Sequence, residues 1–285
     1  MTFDTSVLTV KWGGAAGSLD ADLSQSAVLD ELAERHLAGE RCVLVHGGSD
    51  DVNRLQERLG TPPEFLTSPS GQVSRRTDRE ALEAFTMATA WLNRRLVEAL
   101  HLRGVSGLGL SGLDGGLVRG RRKPNVRAVV NGRVRVVRDE WTGRPEQVDG
   151  QLLGGLLDAG RLPVIAPLIG SEAGELITVD ADRLAARVAA AAGSRDLVIL
   201  SNVPGLLADV NDPNSRIASI TPADFPRAEA AAEGRMRKKV LGAREALDAG
   251  VARVCLGDAS SAAPLAGALA GLGTVFGGLV EEVAR

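Results

Sequence analysis

Apolar residues cluster in six short runs along the chain, at positions 7–11, 42–46, 107–111, 162–166, 197–201 and 253–256. Each run is apolar on successive residues rather than on alternate ones. That pattern predicts strands covered on both faces. Between the runs lie segments with helical spacing of apolar residues, at 20–38, 51–59, 79–102, 148–159, 180–192 and 233–249. Strand and helix alternate, which predicts an α/β protein with an open, mostly parallel sheet.

One segment breaks the alternation. Residues 117–139, "LVRGRRKPNVRAVVNGRVRVVRD", hold the pair Asn131-Gly132 between valine-rich stretches. Asn-Gly is the preferred pair for a type I′ turn, so a surface β-hairpin is expected here. A change of composition at "IGSEAGE", residues 169–175, suggests a boundary between two lobes, 1–172 and 173–285.

Composition narrows the class. The chain has 285 residues, 44% of them hydrophobic and 24% charged, with a net charge of −3. That is ordinary for a globular protein with a full core. No apolar run reaches the roughly 18 residues of a membrane span. The N-terminus lacks the charged segment and apolar core of a secretory signal, so a cytoplasmic protein without a membrane partner is expected. Cys42 and Cys255 both sit in apolar runs, where buried free thiols are expected rather than a disulfide. His36, His46 and His101 are scattered and suggest no metal site.

The chemistry gathers at glycine pairs. The first apolar run ends in "VKWGG", with Lys11 ahead of Gly13 and Gly14, and the second in "VHGGS", with Gly47 and Gly48. Open sheets bind ligands beyond the carboxyl ends of their strands. Glycine there lets an anion approach main-chain N–H groups, and a following helix adds the partial positive charge of its N-terminus. Two tight turns would also explain two glycine pairs. Neither pair fits a Walker loop or a G-x-G-x-x-G fingerprint.

Seven motifs in fixed order, "VKWGG", "VHGGS", "SRRTD", "GLSGLDGG", "VDADRLAA", "LSNVPGLL" and "GRMRKKV", span almost the whole chain. Together they resemble the amino acid kinase family, in its acetylglutamate kinase-like branch. The resemblance implies a three-layer α/β/α fold with an open, mostly parallel sheet of about eight strands. It implies an N-terminal lobe that binds the amino acid and forms a homodimer through the helix at 79–102, and a C-terminal lobe that binds ATP. The reaction it implies is transfer of the ATP γ-phosphoryl group to a side-chain carboxylate, with Mg²⁺ carried on ATP and no protein ligand for the metal. Such a carboxylate is already ionised near neutrality and needs no general base. What it needs is alignment and charge neutralisation.

By the same resemblance, Lys11 and Lys239 are the catalytic lysines and Asp182 the aspartate that holds them. Gly13, Gly14 and Gly48 would meet phosphates, and Ser201, Asn202, Val203, Gly205 and Leu206 the nucleotide. Gly47, Gly48, Arg75 and Thr178 would meet the amino acid, Arg75 gripping its α-carboxylate as a bidentate fork. Acetylglutamate kinases usually carry Asn where this chain has Thr178, which leaves that contact open.

Two features bear on the substrate. "SPSGQVSRRTD", residues 68–78, resembles the form found in kinases of lysine biosynthesis that act on 2-aminoadipate tethered to a small acidic carrier protein, LysW. Independently, residues 119–138 hold eight cations and no acid: Arg119, Arg121, Arg122, Lys123, Arg127, Arg133, Arg135 and Arg138. A solvated edge hairpin accounts for two or three of these. Eight suit an acidic partner, with Arg119, Arg121, Arg122 and Lys123 as docking residues. Nucleic acid fits less well, because interleaved aromatics are lacking and the chain is acidic overall. The leading expectation is a carrier-linked aminoadipate kinase. The alternatives are an N-acetylglutamate kinase of arginine biosynthesis, an enzyme accepting carrier-linked glutamate as well, and a non-catalytic sensor on the same fold. The first strand begins near Val7, which leaves no room for the N-terminal helix of arginine-inhibited relatives, so insensitivity to arginine is expected.

Overall fold

A computed structural model describes residues 6–13, 22–212 and 214–277. The first half of the chain runs β1 (Val7–Trp12), α1 (Ala27–Leu37), β2 (Arg41–His46), α2 (Ser49–Arg58), β3 (Phe65–Thr67), β4 (Val73–Arg75) and α3 (Arg79–His101). Then come β5 (Gly107–Ser111), β6 (Val118–Arg122), β7 (Asn125–Val130), β8 (Arg133–Arg138), β9 (Gly143–Val148), α4 (Gly150–Asp158), β10 (Leu162–Ala166), β11 (Leu168–Ser171) and β12 (Leu176–Thr178). The remainder is α5 (Ala181–Ala191), β13 (Ser194–Ser201), β14 (Ser219–Ile220), α6 (Phe225–Ala231), α7 (Met236–Asp248), β15 (Arg253–Asp258), α8 (Pro264–Leu269) and β16 (Thr274–Gly277).

All six apolar runs become neighbours in one eight-stranded sheet, ordered β14-β16-β15-β13-β1-β2-β10-β5. The pairs from β13 through β5 and the β13–β15 pair are parallel, and β16 turns antiparallel against β15. The reason for unbroken apolar runs is visible in the packing. Val43, Val45, Ile165, Leu197 and Ile199 pack with residues of α4, α5 and α7 on one face. Their neighbours Leu44, Val164, Val198 and Leu200 pack with α1, α3 and α8 on the other. These are the three layers that the family resemblance implies. Strands from residues 7–166 fill one side of the sheet order and strands from 194–277 the other.

Helix ends follow local chemistry. Ser26 caps α1, Asp78 caps α3, Asp149 caps α4 and Asp180 caps α5, each side chain accepting a main-chain N–H. The first helix is shorter than the spacing suggests. It starts at Ala27 behind a single 3₁₀ turn at Leu23–Gln25.

The arginine-rich segment is not one hairpin. Its second half is: β7 and β8 pair around Asn131 (φ 51°) and Gly132 (φ 72°), as a type I′ turn requires. Its first half is β6, which joins a separate four-stranded sheet ordered β12-β11-β6-β9. That difference matters for Arg122. The guanidinium lies 3.5 Å from the Trp141 ring centroid, and its NH groups reach Asp139 at 3.1 Å and Glu175 at 3.2 Å. Its Nε donates to the Glu140 carbonyl at 2.8 Å. Folding has brought acids from outside the segment to this cation, so Arg122 is committed to the fold and cannot serve as a free docking charge. Replacing it by Ala should lower stability by about 1–3 kcal/mol, from lost charge-assisted hydrogen bonds and ring contact, as read by urea denaturation.

Candidate active site

Beyond the carboxyl ends of β1, β2 and β13 lies a cavity of about 340 Å³. Lys11, Gly13, Gly47, Gly48, Asp182, Ser201, Asn202, Val203, Gly205, Leu206 and Lys239 all line it. The glycine pairs, both expected lysines and the expected nucleotide segment, drawn from positions 11 to 239, thus meet at one place. Gly14 lies outside the described residues.

At the floor of the cavity one carboxylate holds two ammonium groups. Lys11 points from β1 towards the α5–α7 layer, where Asp182 stands in the first turn of α5. Lys11 Nζ lies 2.7 Å from Asp182 Oδ1, and Lys239 Nζ lies 3.3 Å from Asp182 Oδ2. All three are nearly buried; Asp182 is 6% exposed. Burial alone would raise the Asp182 carboxyl, but the two ammonium groups outweigh it and hold it well below the usual carboxylate range. Burial and then the like charge of Lys11 push Lys239 down to about 8.

Two glycines make this approach possible. A β-carbon on Gly13 would fall on the Lys11 ammonium. A β-carbon on Gly242, in α7, would meet Asp182 main-chain and side-chain atoms at 3.2 Å, so glycine lets α7 lie against the first turn of α5. Gly48 caps α2 at φ 148°, a conformation open to glycine, and a β-carbon there would meet Thr89 at 3.1 Å.

The nucleotide-type segment follows β13. Ser201 is buried, and its Oγ has no partner among the described residues. The loop after it is pinned from below: Thr274 Oγ1 accepts from Leu206 N at 2.8 Å and donates to the Ile217 carbonyl at 2.7 Å. Apolar Val210, Ala231 and Met236 complete the wall. These, with Asp50, Asp180, Arg235 and Lys238, escape sequence reasoning. Asp180 carried a signal, since an aspartate two residues ahead of Asp182 is a helix cap. It accepts from Asp182 N at 3.0 Å and pairs with Lys238 at 3.4 Å. Arg235 pairs with Asp50 at 3.2 Å, joining the start of α7 to the start of α2 across the cavity wall.

Two expected amino acid contacts do not line the cavity. Thr178 is buried on β12, paired with Leu168 and bridged to Thr142. Arg75 ends β4 and reaches over α2. Its guanidinium donates to Gln56 Oε1 at 2.7 Å, to the Ser49 carbonyl at 3.0 Å and to Asn53 Oδ1. It therefore stands one residue behind the wall, through Ser49, which lines the cavity.

Anion-ready glycine turns, two clamped ammonium groups and an apolar wall, on an open parallel sheet, define a phosphotransferase. The chain belongs to the amino acid kinase family, whose model matches residues 6–258. That membership carries the use of ATP. A LysW-aminoadipate kinase of Deinococcus radiodurans is 49% identical over 94% of this chain and 91% of that protein. One of Thermus thermophilus is 47% identical over 94% of this chain and 99% of that protein. Among solved structures, an N-acetylglutamate synthase from Neisseria gonorrhoeae superposes with a TM-score of 0.77 at 21% identity. The alignment covers 96% of this chain but 60% of the synthase. A carbamate kinase from Giardia lamblia gives 0.65 at 18% identity, over 96% of this chain and 98% of the other. These two establish the fold.

Because Lys239 sits at about 8, its charge is present below that pH and is lost as pH rises through it. The free-enzyme profile of kcat/KM should therefore fall on the alkaline side near pH 8. Lys239→Arg should remove that limb. Asp182→Asn would leave two buried cations uncompensated and should cost about 3–5 kcal/mol in denaturant unfolding.

Proposed function

We propose that this chain transfers the ATP γ-phosphoryl group to the side-chain carboxylate of 2-aminoadipate, whose amino group is blocked by linkage to the carrier protein LysW. The product is an acyl phosphate of lysine biosynthesis. The observation that carries this reading is the Lys11–Asp182–Lys239 clamp facing Gly13, Gly47 and Gly48 in one cavity. High identity to kinases named for that substrate supports its identity.

The attacking carboxylate and the triphosphate are both anions. Lys11 and Lys239 offset charge where it accumulates in transfer, and Asp182 keeps both ammonium groups aimed without letting them spread apart. The Gly48 N–H and the N-terminus of α2 add fixed donors. Ser201, Asn202, Val203, Gly205 and Leu206, in the half from residue 173, hold the nucleotide, and the half before it holds the amino acid. Arg75 serves the α-carboxylate side of that substrate through Ser49, at the start of α2. Mg²⁺ enters on ATP and offsets phosphate charge there. The ion would be held mainly by phosphate oxygens and water, as Mg²⁺ prefers.

The carrier docks on the β7–β8 hairpin. Arg127, Arg133, Arg135 and Arg138 are exposed, and none forms an ion pair among the described residues. Val129, Val134 and Val136 are exposed on the face that carries Arg127 and Arg138, while Arg133 and Arg135 project from the other, so the hairpin offers both charge and apolar area. Arg121 is the weaker contributor, being paired with Glu146 at 3.6 Å and Glu172 at 3.5 Å. The protein is a homodimer through α3, where Met87 and Trp91 stand exposed one turn apart. No helix among the described residues is long and apolar enough to cross a membrane.

Side-by-side assays should give phosphorylation of carrier-linked aminoadipate and much less of free N-acetylglutamate. The reverse preference would assign the arginine pathway. Lys11→Ala or Lys239→Ala should lower kcat by roughly 10²–10³. Converting Arg133 and Arg135 to Glu should raise KM for the carrier-linked substrate at low salt and leave kcat nearly unchanged, as added salt should for the unaltered enzyme. A small amino-blocked substrate should feel neither change. Trp91→Glu should give a monomer in sedimentation.

A further inference from the structure

Behind the second glycine pair lies a buried chain of hydrogen bonds. His46 ends β2 and is 1% exposed. Its Nδ1 lies 2.7 Å from the Gly47 carbonyl oxygen, and its Nε2 lies 3.1 Å from Asn93 Nδ2, on α3. Which ring nitrogen carries the proton follows from the partners of Asn93. Asn93 Nδ2 donates to the Val164 carbonyl at 2.8 Å, and a carbonyl only accepts. Asn93 Oδ1 accepts from Arg94 Nη2 at 2.8 Å, and a guanidinium only donates. The amide is thus oriented from outside, and its second N–H faces His46 Nε2 at 3.1 Å, with the Leu110 carbonyl a longer acceptor at 3.5 Å. That nitrogen must present a lone pair. The proton of the neutral ring therefore sits on Nδ1 and is donated to Gly47 O. Burial pushes the imidazole down to about 4, so the ring stays neutral across the physiological range.

The tautomer has a consequence at the cavity. Gly47 N–H donates to the Trp12 carbonyl at 2.9 Å, and Gly47 C=O is taken by His46. A trans peptide is planar, so the direction of one carbonyl sets the opposite direction of the next N–H. The Gly47 C=O is drawn inward to the ring. The Gly48 N–H must then point outward, and no acceptor among the described residues takes it. Glycine at 47 and 48 leaves this peptide free to rotate unless something holds it.

We propose that His46 is a positioning residue: as its Nδ1–H tautomer it locks the Gly47–Gly48 peptide so that Gly48 N–H faces the phosphoryl group in transfer. The proposal rests on the kinase reading of the cavity. His46 never touches substrate. It acts through the peptide, and Asn93 acts through His46.

Nitrogen-15 NMR of histidine-labelled protein tests the tautomer without any activity. The His46 signals should show a protonated Nδ1 and a bare Nε2, unchanged through neutral pH, with His46→Asn supplying the assignment. Kinetics test the role. Asn can place an amide N–H near the Nδ1 position, whereas Gln places it near Nε2. His46→Gln should lower kcat roughly tenfold or more, with a smaller change in ATP KM, and His46→Asn should recover most of that loss. A proton on Nε2, or a ring titrating near its ordinary value, overturns the proposal. So do Asn and Gln variants with the same kcat. If the tautomer is as stated but the unaltered protein phosphorylates no carboxylate, the kinase reading fails and the locked peptide stands.

Discussion

The architecture depends on keeping two ammonium groups together out of water. Bringing Lys11 and Lys239 to one point costs desolvation and mutual repulsion, and a single carboxylate, Asp182, offsets both. Much of the surrounding structure serves that arrangement. Lys11 must leave the central strand on the α5–α7 face, so β1 must run between β2 and β13 in one register. Asp182 must sit in a first helical turn, so Asp180 caps α5. Lys239 must approach from a second helix, so Gly242 gives α7 room against α5. The clamp itself holds two ammonium groups against one carboxylate, and that local excess of positive charge suits a point where anions meet.

The fold was legible because its signals are local. Apolar runs, aspartate caps and the Asn131-Gly132 turn report on their own neighbourhoods, and all six runs entered the main sheet. Short pieces were missed for the same reason. β11, β12, β14 and β16 are two to four residues long; β14 and β16 form through partners distant in the chain, and β11 and β12 pair with each other but are anchored by the distant β6. At the site, Lys11, Asp182 and Lys239 were readable from ordered motifs. Val210 and Met236 were not, since an apolar residue facing a cavity looks like one facing a core. Thr178 and Arg75 show the opposite limit. A motif can mark their positions but cannot say that one lies within a buried strand and the other behind a helix turn.

Charge counting along the segment at 119–138 shows why sequence proximity misleads in electrostatics. Eight cations without an acid look like a single patch. In the fold, Glu146 and Glu172 pair with Arg121, Asp139 and Glu175 pair with Arg122, and Trp141 takes the face of Arg122. Most of the unpaired charge that survives lies on the hairpin beyond it, at Arg127, Arg133, Arg135 and Arg138. The field a partner meets is thus set by which acids fold nearby.

The place of β1 in the sheet also bears on how the chain is made. This strand is synthesised well before β13, yet it lies mid-sheet, with β2 on one edge and β13, residues Ser194–Ser201, on the other. Its second edge stays unpaired until β13 has left the ribosome. Until then Lys11 has no carboxylate, because Asp182 arrives just ahead of the same strand. An open apolar edge of this kind is a template for wrong pairing. The nascent chain is therefore most exposed to aggregation between completion of β10 and arrival of β13, and a ribosome stalled in that interval would release the form most in need of a chaperone.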